Sequence, residues 1–123
     1  MNAGKKRLCR EVMNKPVLFA RAGDSILKIS DAMVRNAVSQ MPVLSGNTIV
    51  GTVTEENIIR NLSSNLAEKK VKQVMTPPLP SVSEDTNIEA VRPMLEKSQG
   101  VLVMKGREIV GIITRSDLLK TIA

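Results

Sequence analysis

Residues 43–60 read VLSGNTIVGTVTEENIIR, and residues 103–120 read VMKGREIVGIITRSDLLK. Laid over one another, the two stretches share Val, Gly, Ile, Val, Gly and Thr, six positions in eighteen, with about six further conservative replacements. The frame G-x-x-I-V-G-x-x-T is intact in both. Upstream, REVMNKP (Arg10 to Pro16) falls on KQVMTPP (Lys72 to Pro78), and GDSIL (Gly23 to Leu27) falls near EDTNI (Glu84 to Ile88). A period of about sixty residues, present twice, fills nearly the whole chain and marks a duplicated structural unit. One difference inside the phrase carries chemistry: T-x-x is followed by Asp117 in the second copy and by Asn57 in the first.

Each copy predicts the same succession of elements. An extended, proline-containing stretch comes first, Lys15 to Arg21 or Pro77 to Val82. Asp24 and Ser25, or Asp85 and Thr86, then offer helix N-caps ahead of apolar residues at helical spacing. Those are Ile26, Ile29, Met33, Val34 and Ala37 in one copy and Ile88, Val91 and Leu95 in the other, and these faces are expected to be buried. Pro93 falls inside the second of these helices, where its missing N–H and its ring predict a kink or an early end. Two short strands follow around Ser45–Gly46–Asn47 and around Lys105–Gly106–Arg107. The last strand runs into a second helix at Thr54 or Thr114, carrying Ile58, Ile59 and Leu62, or Leu118, Leu119 and Ile122. The expected fold is therefore α/β, two pseudo-symmetric repeats of order β-α-β-β-α packed sheet to sheet, because about sixty residues do not close a core alone. The repeats are drawn at 8–62 and 71–123, with 63–70 as a polar linker.

Composition narrows the function. The 123 residues are 42% hydrophobic and 24% charged, as in a globular protein, with no apolar run of the roughly 18 residues that a membrane span needs. The N-terminus has basic residues but no apolar signal segment, so a cytoplasmic location is expected. There is no histidine and one cysteine, Cys9, which removes a disulfide framework, the commonest metal ligand and most catalytic constellations. Neither an enzyme nor a metal site is expected. Cys9 reads as a packed small residue. The net charge of +6 favours anionic partners. Phe19 is the one aromatic residue, and GKKR the one concentrated basic run, so nucleic acid is disfavoured as a partner, base stacking needing several rings.

With its VMT-P lead-in (Val74 to Pro77), MPVL strand (Met41 to Leu44) and the segment G-x-x-I-V-G-x-x-T-x-x-D/N occurring twice, the chain resembles the tandem CBS-domain pair, or Bateman module, over residues 8 to 123. That resemblance implies a regulatory fold with two clefts that commonly bind AMP, ADP, ATP or S-adenosylmethionine, and no required cofactor. In relatives the Asp of T-x-x-D binds both ribose hydroxyls and the nearby Thr contacts ribose or phosphate. Carried over, one cleft takes Thr114, Arg115, Ser116 and Asp117, with Asn14, Lys15, Pro16 and Leu18 from the lead-in of the first copy and Val38, Ser39 and Gln40 ahead of MPVL. Arg21 is a further candidate for a phosphate. The other cleft takes Thr54, Glu56 and Asn57 with Thr76, Pro77 and Leu79, and with Ser98, Gln99 and Gly100. There Asn57 lacks the charge that strengthens a ribose hydrogen bond, and Glu55 and Glu56 repel a phosphate, so this cleft is expected to be empty, weak or selective for a less anionic ligand.

The plainer reading of T-x-x-D is a capping box, compatible with ribose binding because a carboxylate has about four acceptor positions. Gly51 and Gly111 are explained most simply by close packing or a strand bend. Two functions follow: a sensor of an adenosyl ligand, or an interaction and dimerisation module, for example of a transcription regulator, with vestigial clefts. The resemblance favours a homodimer, which exposed Ile and Leu on the second helices suit. The repeats use up the sequence, so the regulated effector is a partner in trans or a fused domain outside it.

Overall fold

In both copies the repeated phrase folds as a two-stranded hairpin turning at a glycine with positive φ, Gly46 at 60° and Gly106 at 61°. The computed structural model describes residues 7–62 and 65–122. Gly4 to Lys6 of the basic N-terminal run, Ser63 and Ser64 of the linker, and Ala123 lie outside the described residues. In chain order the elements are α1 (Cys9–Val12), β1 (Ala20–Arg21), α2 (Ile26–Asn36), β2 (Gln40–Ser45), β3 (Thr48–Thr54) and α3 (Glu55–Arg60). Short 3-10 turns at Leu66–Glu68 and Val71–Gln73 follow, then β4 (Ser81–Ser83), a 3-10 turn at Ile88–Ala90, α4 (Arg92–Lys97), β5 (Val101–Lys105), β6 (Glu108–Ile113) and a 3-10 helix at Arg115–Thr121. No helix among the described residues is long and apolar enough to cross a membrane.

The chain divides into two compact units: residues 18–78, and the residues up to Val17 together with those from Leu79 onward. The first unit carries the sheet β1-β2-β3 and the second the sheet β4-β5-β6. In each, the short outer strand runs parallel to the central one, and the central one pairs antiparallel with the last. The registers repeat as well. Val43 faces Gly51 and Val103 faces Gly111, and each ladder then slips by one residue, leaving a bulge at Val50 or Val110.

These units are cut differently from the sequence repeats, because each sheet is completed by a lead-in segment from elsewhere in the chain. In the 18–78 unit Thr76 pairs with Thr52 of β3 through two backbone bonds of 2.8 Å. Val71 and Val74, on the same segment, enter the core formed by Ala20, Ile26, Ile29, Met33, Met41, Val43, Val53 and Ile58. In the other unit Asn14 pairs with Ile112 of β6 at 2.9 and 3.1 Å. There Cys9 and Val12 of α1 fill the corresponding places beside Ile88, Val91, Leu95, Val101, Val103 and Ile113. Cys9 is fully buried, and burial pushes its thiol pKa up, as suits a packed residue.

Several local expectations need correction. Ser25 caps α2, its hydroxyl accepting from the Leu27 N–H. In the second copy the cap is Asn87 rather than Asp85 or Thr86, and it starts only a 3-10 turn. The interruption expected at Pro93 falls two residues earlier, at Val91, and Pro93 itself sits in the first turn of α4, where its lost N–H is harmless. The helix after Thr114 is of 3-10 type. Val34 and Ala37 are exposed, not buried. Ile26, Ile29 and Met33 already form the inward stripe, Val34 points away from it, and Ala37 ends the helix in the left-handed conformation. In the stretch read as a polar linker, Leu66 packs against the core of the 18–78 unit, and the Lys69 carbonyl accepts from the Ile26 N–H.

Glycine at 51 and 111 is required by close approach. A Cβ on Gly51 would lie 2.7 Å from both the Thr76 carbonyl oxygen and the Met75 sulfur, and one on Gly111 would lie 2.3 Å from the Met13 sulfur. Gly51→Ala is expected to destabilise by about 1–3 kcal/mol. Gly23→Ala, whose Cβ would meet nothing within 4 Å, is expected to stay within about 0.5 kcal/mol of the parent. Urea unfolding of both variants checks this, and equal midpoints would refute the close-approach argument.

Candidate functional site

Each unit places one strand-to-helix corner beside the lead-in segment that completes its sheet. In the second unit the chain leaves β6 at Thr114, and the turn that follows brings Asp117 back under it. Asp117 is 4% exposed. Its Oδ2 accepts from the Thr114 backbone N–H at 2.8 Å, the Thr114 hydroxyl at 3.1 Å and the Asn14 side-chain amide at 2.6 Å. Its Oδ1 is paired with the Lys120 ammonium at 2.9 Å. Burial alone would raise the pKa of this carboxyl. The hydrogen bonds from the Thr114 backbone, Lys120 and Asn14, with the Lys120 charge, outweigh burial and hold it below the usual aspartate value. The capping box expected from the sequence is present, and it is one part of a larger network.

Lys120 was not among the residues that the sequence singled out. Its ammonium also donates to the Val12 carbonyl at 3.1 Å and to Asn14 Oδ1 at 3.3 Å, tying the second half of the lead-in to the corner. The spacing Asp117 to Lys120, three residues on a helical turn, was a visible signal for the ion pair. Its reach to Val12 and Asn14, more than a hundred residues away, had no local signal. The Arg115 Nε donates to the Leu95 carbonyl at 2.7 Å, closing the end of α4. The Ser116 hydroxyl lies 3.1 Å from that of Thr114. Lys15 and Pro16 follow Asn14 in the same unit and are exposed.

The matching corner of the 18–78 unit is built around Thr54, whose hydroxyl accepts from the Asn57 N–H at 3.1 Å. The Asn57 amide donates to the Val74 carbonyl at 3.3 Å. By the alignment of the repeats, Val74 corresponds to Val12, whose carbonyl Lys120 serves in the other unit. Arg60 occupies the position of Lys120, and it is drawn to Glu56 at 2.6 Å. Thr76 and Pro77 lie beside this corner: the Thr76 hydroxyl donates to the Thr52 carbonyl at 3.1 Å, and the Thr52 hydroxyl donates to the Pro77 carbonyl at 3.0 Å.

The other residues named from the sequence divide between the units. Leu18, Val38, Ser39 and Gln40 belong to the 18–78 unit. Leu18 and Val38 pack against its core, the Ser39 carbonyl accepts from the Glu55 N–H at 2.9 Å, and buried Gln40 faces Thr54 in the ladder. Arg21 is at the opposite end of that sheet, where it donates to the Gly46 carbonyl. Leu79, Ser98, Gln99 and Gly100 belong to the second unit, the last three between α4 and β5. Among the described residues no group of three or more His, Cys, Asp or Glu is placed to hold a metal ion.

The family model described as CBS domain matches residues 9–64 and 71–123. Among solved structures, the CBS domain pair of protein MJ0100, in complex with 5′-methylthioadenosine and S-adenosyl-L-methionine, superposes with a TM-score of 0.83 at 24% identity, covering 95% of this chain and 96% of that one. The CBS domain NE2398 gives 0.84 at 18% identity, covering 94% and 96%. Among curated relatives, an A-adding tRNA nucleotidyltransferase of Geobacter sulfurreducens is 27% identical over 93% of this chain and 13% of its own length. An uncharacterised protein of Methanocaldococcus jannaschii is 35% identical over 70% of this chain and 29% of its own length. The chain thus spans less than a third of either relative.

The lowered pKa of Asp117 fixes the sign of a pH effect. A carboxyl that ionises more readily when folded contributes stability that is fully present above the unfolded value, about 3.9, and is lost as pH falls through the folded one. The stability gap between the parent and Asp117→Asn, from urea unfolding, is therefore expected to be widest near neutral pH and to shrink below about pH 4. A gap unchanged down to the acid transition would contradict this.

Proposed function

Because the chain belongs to the CBS domain family, we propose that it is a regulatory module that binds an adenosyl compound, AMP, ADP, ATP or S-adenosylmethionine, at the Thr114–Asp117 corner. The observation that carries this reading is Asp117: a buried carboxylate, held ionised at a strand-to-helix corner, beside side-chain donors that can exchange for ligand hydroxyls. A carboxylate accepting from two adjacent hydroxyls is the device by which dinucleotide folds hold ribose. The structure of MJ0100 with two adenosyl compounds supports that ligand class for this fold. The Asn57 corner is the weaker of the two, since its side chain is neutral, its amide is committed to the Val74 carbonyl, and Glu55 and Glu56 stand exposed at the start of α3.

The module works in the cytoplasm as a homodimer and passes the state of the corner to a partner protein or a fused effector domain. The length of the relatives, several times that of this chain, favours an effector joined to such modules. A second reading, an interaction module with vestigial clefts, rests on Ile59, Leu62, Leu119 and Ile122, each at least 60% exposed on or beside the second helix of its copy.

Thermal unfolding with AMP, ADP, ATP and S-adenosylmethionine separates the two readings. A ligand at a hundred times its dissociation constant stabilises by about 2.7 kcal/mol. Asp117→Ala is expected to abolish that shift, whereas Asn57→Ala leaves most of it. If no compound in the panel moves the melting temperature, the sensing reading fails and the interaction reading stands. Equal effects of the two substitutions would overturn the assignment of the site.

A further inference from the structure

The side chains of Asn14, Asp117 and Lys120 form a closed ring. The Asn14 amide nitrogen donates to Asp117 Oδ2 at 2.6 Å, Lys120 donates to Asp117 Oδ1 at 2.9 Å, and Lys120 also donates to Asn14 Oδ1 at 3.3 Å. The ring fixes which way the Asn14 amide points, because its nitrogen must face the carboxylate and its oxygen the ammonium. With the Thr114 N–H and hydroxyl added, the carboxylate has four donors for about four acceptor positions. Three of the four crowd Oδ2 and only Lys120 meets Oδ1, so a vicinal diol finds a position at Oδ1 and must displace a donor from Oδ2.

The four differ in how easily they leave. The Thr114 N–H is fixed by the backbone of the corner. Lys120 carries the compensating charge for a buried carboxylate, and removing it would leave that charge unpaired. The Thr114 hydroxyl can turn to Ser116, already 3.1 Å away. The Asn14 amide is neutral, its residue is exposed, and its backbone stays anchored to Ile112 when the side chain swings out. Resting on the adenosyl reading of this corner, we propose that Asn14 is a built-in competitor: its amide stands where one ligand hydroxyl goes, so ligand binding exchanges the lead-in's side-chain tie to Asp117 for a tie to the ligand. The same exchange makes the corner a regulatory device, because occupancy and the Asn14 side-chain tie to Asp117 oppose one another, while the backbone bridge to Ile112 and the Lys120 bond to the Val12 carbonyl persist.

The roles of competitor and of ligand contact predict opposite signs. Asn14→Ala removes a hydrogen bond to a buried carboxylate, so the unliganded protein melts lower. It also removes the group that the ligand displaces, so S-adenosylmethionine and AMP, titrated calorimetrically, are expected to bind about three- to tenfold tighter. Asn14→Thr, which installs the residue found at the equivalent position 76, shortens the side chain while keeping the backbone bridge and is expected to tighten binding in the same direction. In the parent, the Asn14 side-chain amide resonances are expected to move upfield on saturation, reporting loss of the carboxylate bond. Unchanged or weaker binding by both variants overturns the competitor role and leaves the adenosyl reading standing. Failure of AMP, ADP, ATP and S-adenosylmethionine alike to bind the parent and the variants overturns that reading and the competitor with it.

Discussion

Each sheet in this protein is completed by a stretch of chain that can approach only because the strand it meets has no side chain at one position. Thr76 bonds to Thr52 on both sides, and Asn14 to Ile112; next to each pairing, Gly51 or Gly111 receives the methionine of the incoming segment. An unprotected edge strand is a liability, and a unit of about sixty residues is near the lower limit for a self-sufficient core. The incoming segment answers both problems. It pairs with the edge and delivers two buried residues, Val71 and Val74 or Cys9 and Val12, to the core beneath. The bulge beside each glycine belongs to the same arrangement, since it bends the strand where the segment comes in.

The candidate site follows from that closure, because the incoming segment ends beside the strand-to-helix corner. Asn14 reaches Asp117 only because the backbone of Asn14 is already held by Ile112. The carboxylate is thus assembled from parts more than a hundred residues apart, and its ionisation depends on them. Burial opposes the charge, while Thr114, Lys120 and Asn14 restore it. An ionised carboxylate in such a setting forms strong hydrogen bonds to hydroxyl donors.

Much of this was legible in the sequence. The duplication, the hairpins around Gly46 and Gly106, the caps at Ser25 and Thr114, the helix start at Thr54, and the need for glycine at 51 and 111 are local or repeat-level signals. Pro93 announced the break in the helix of the second copy. The exposure of Val34 was misread because helical spacing identifies a stripe but not its width, and three residues already filled the inward face. Which sheet each lead-in segment completes was not legible in the residues themselves, since VM-x-x-P carries extended geometry and no address; only the family resemblance implied that each lead-in lies beside the corner of the other copy. Lys120 was missed for the same reason. Its ion pair is a matter of spacing, but its bonds to Val12 and Asn14 exist only once the chain has folded back.

The Asp-to-Asn difference between the corners is best understood as an exchange of donors. In the second unit the lead-in carbonyl of Val12 is served by Lys120, which leaves residue 117 free to be an acceptor. In the 18–78 unit the residue at the lysine position is Arg60, drawn to Glu56 on the outer face of α3. The lead-in carbonyl of Val74 then needs another donor, and a carboxylate could not supply one. Asn57 does so with its amide. The first corner therefore uses, in holding its own sheet edge, the side chain that in the second corner is an acceptor, and the two cannot be made equivalent by changing residue 57 alone.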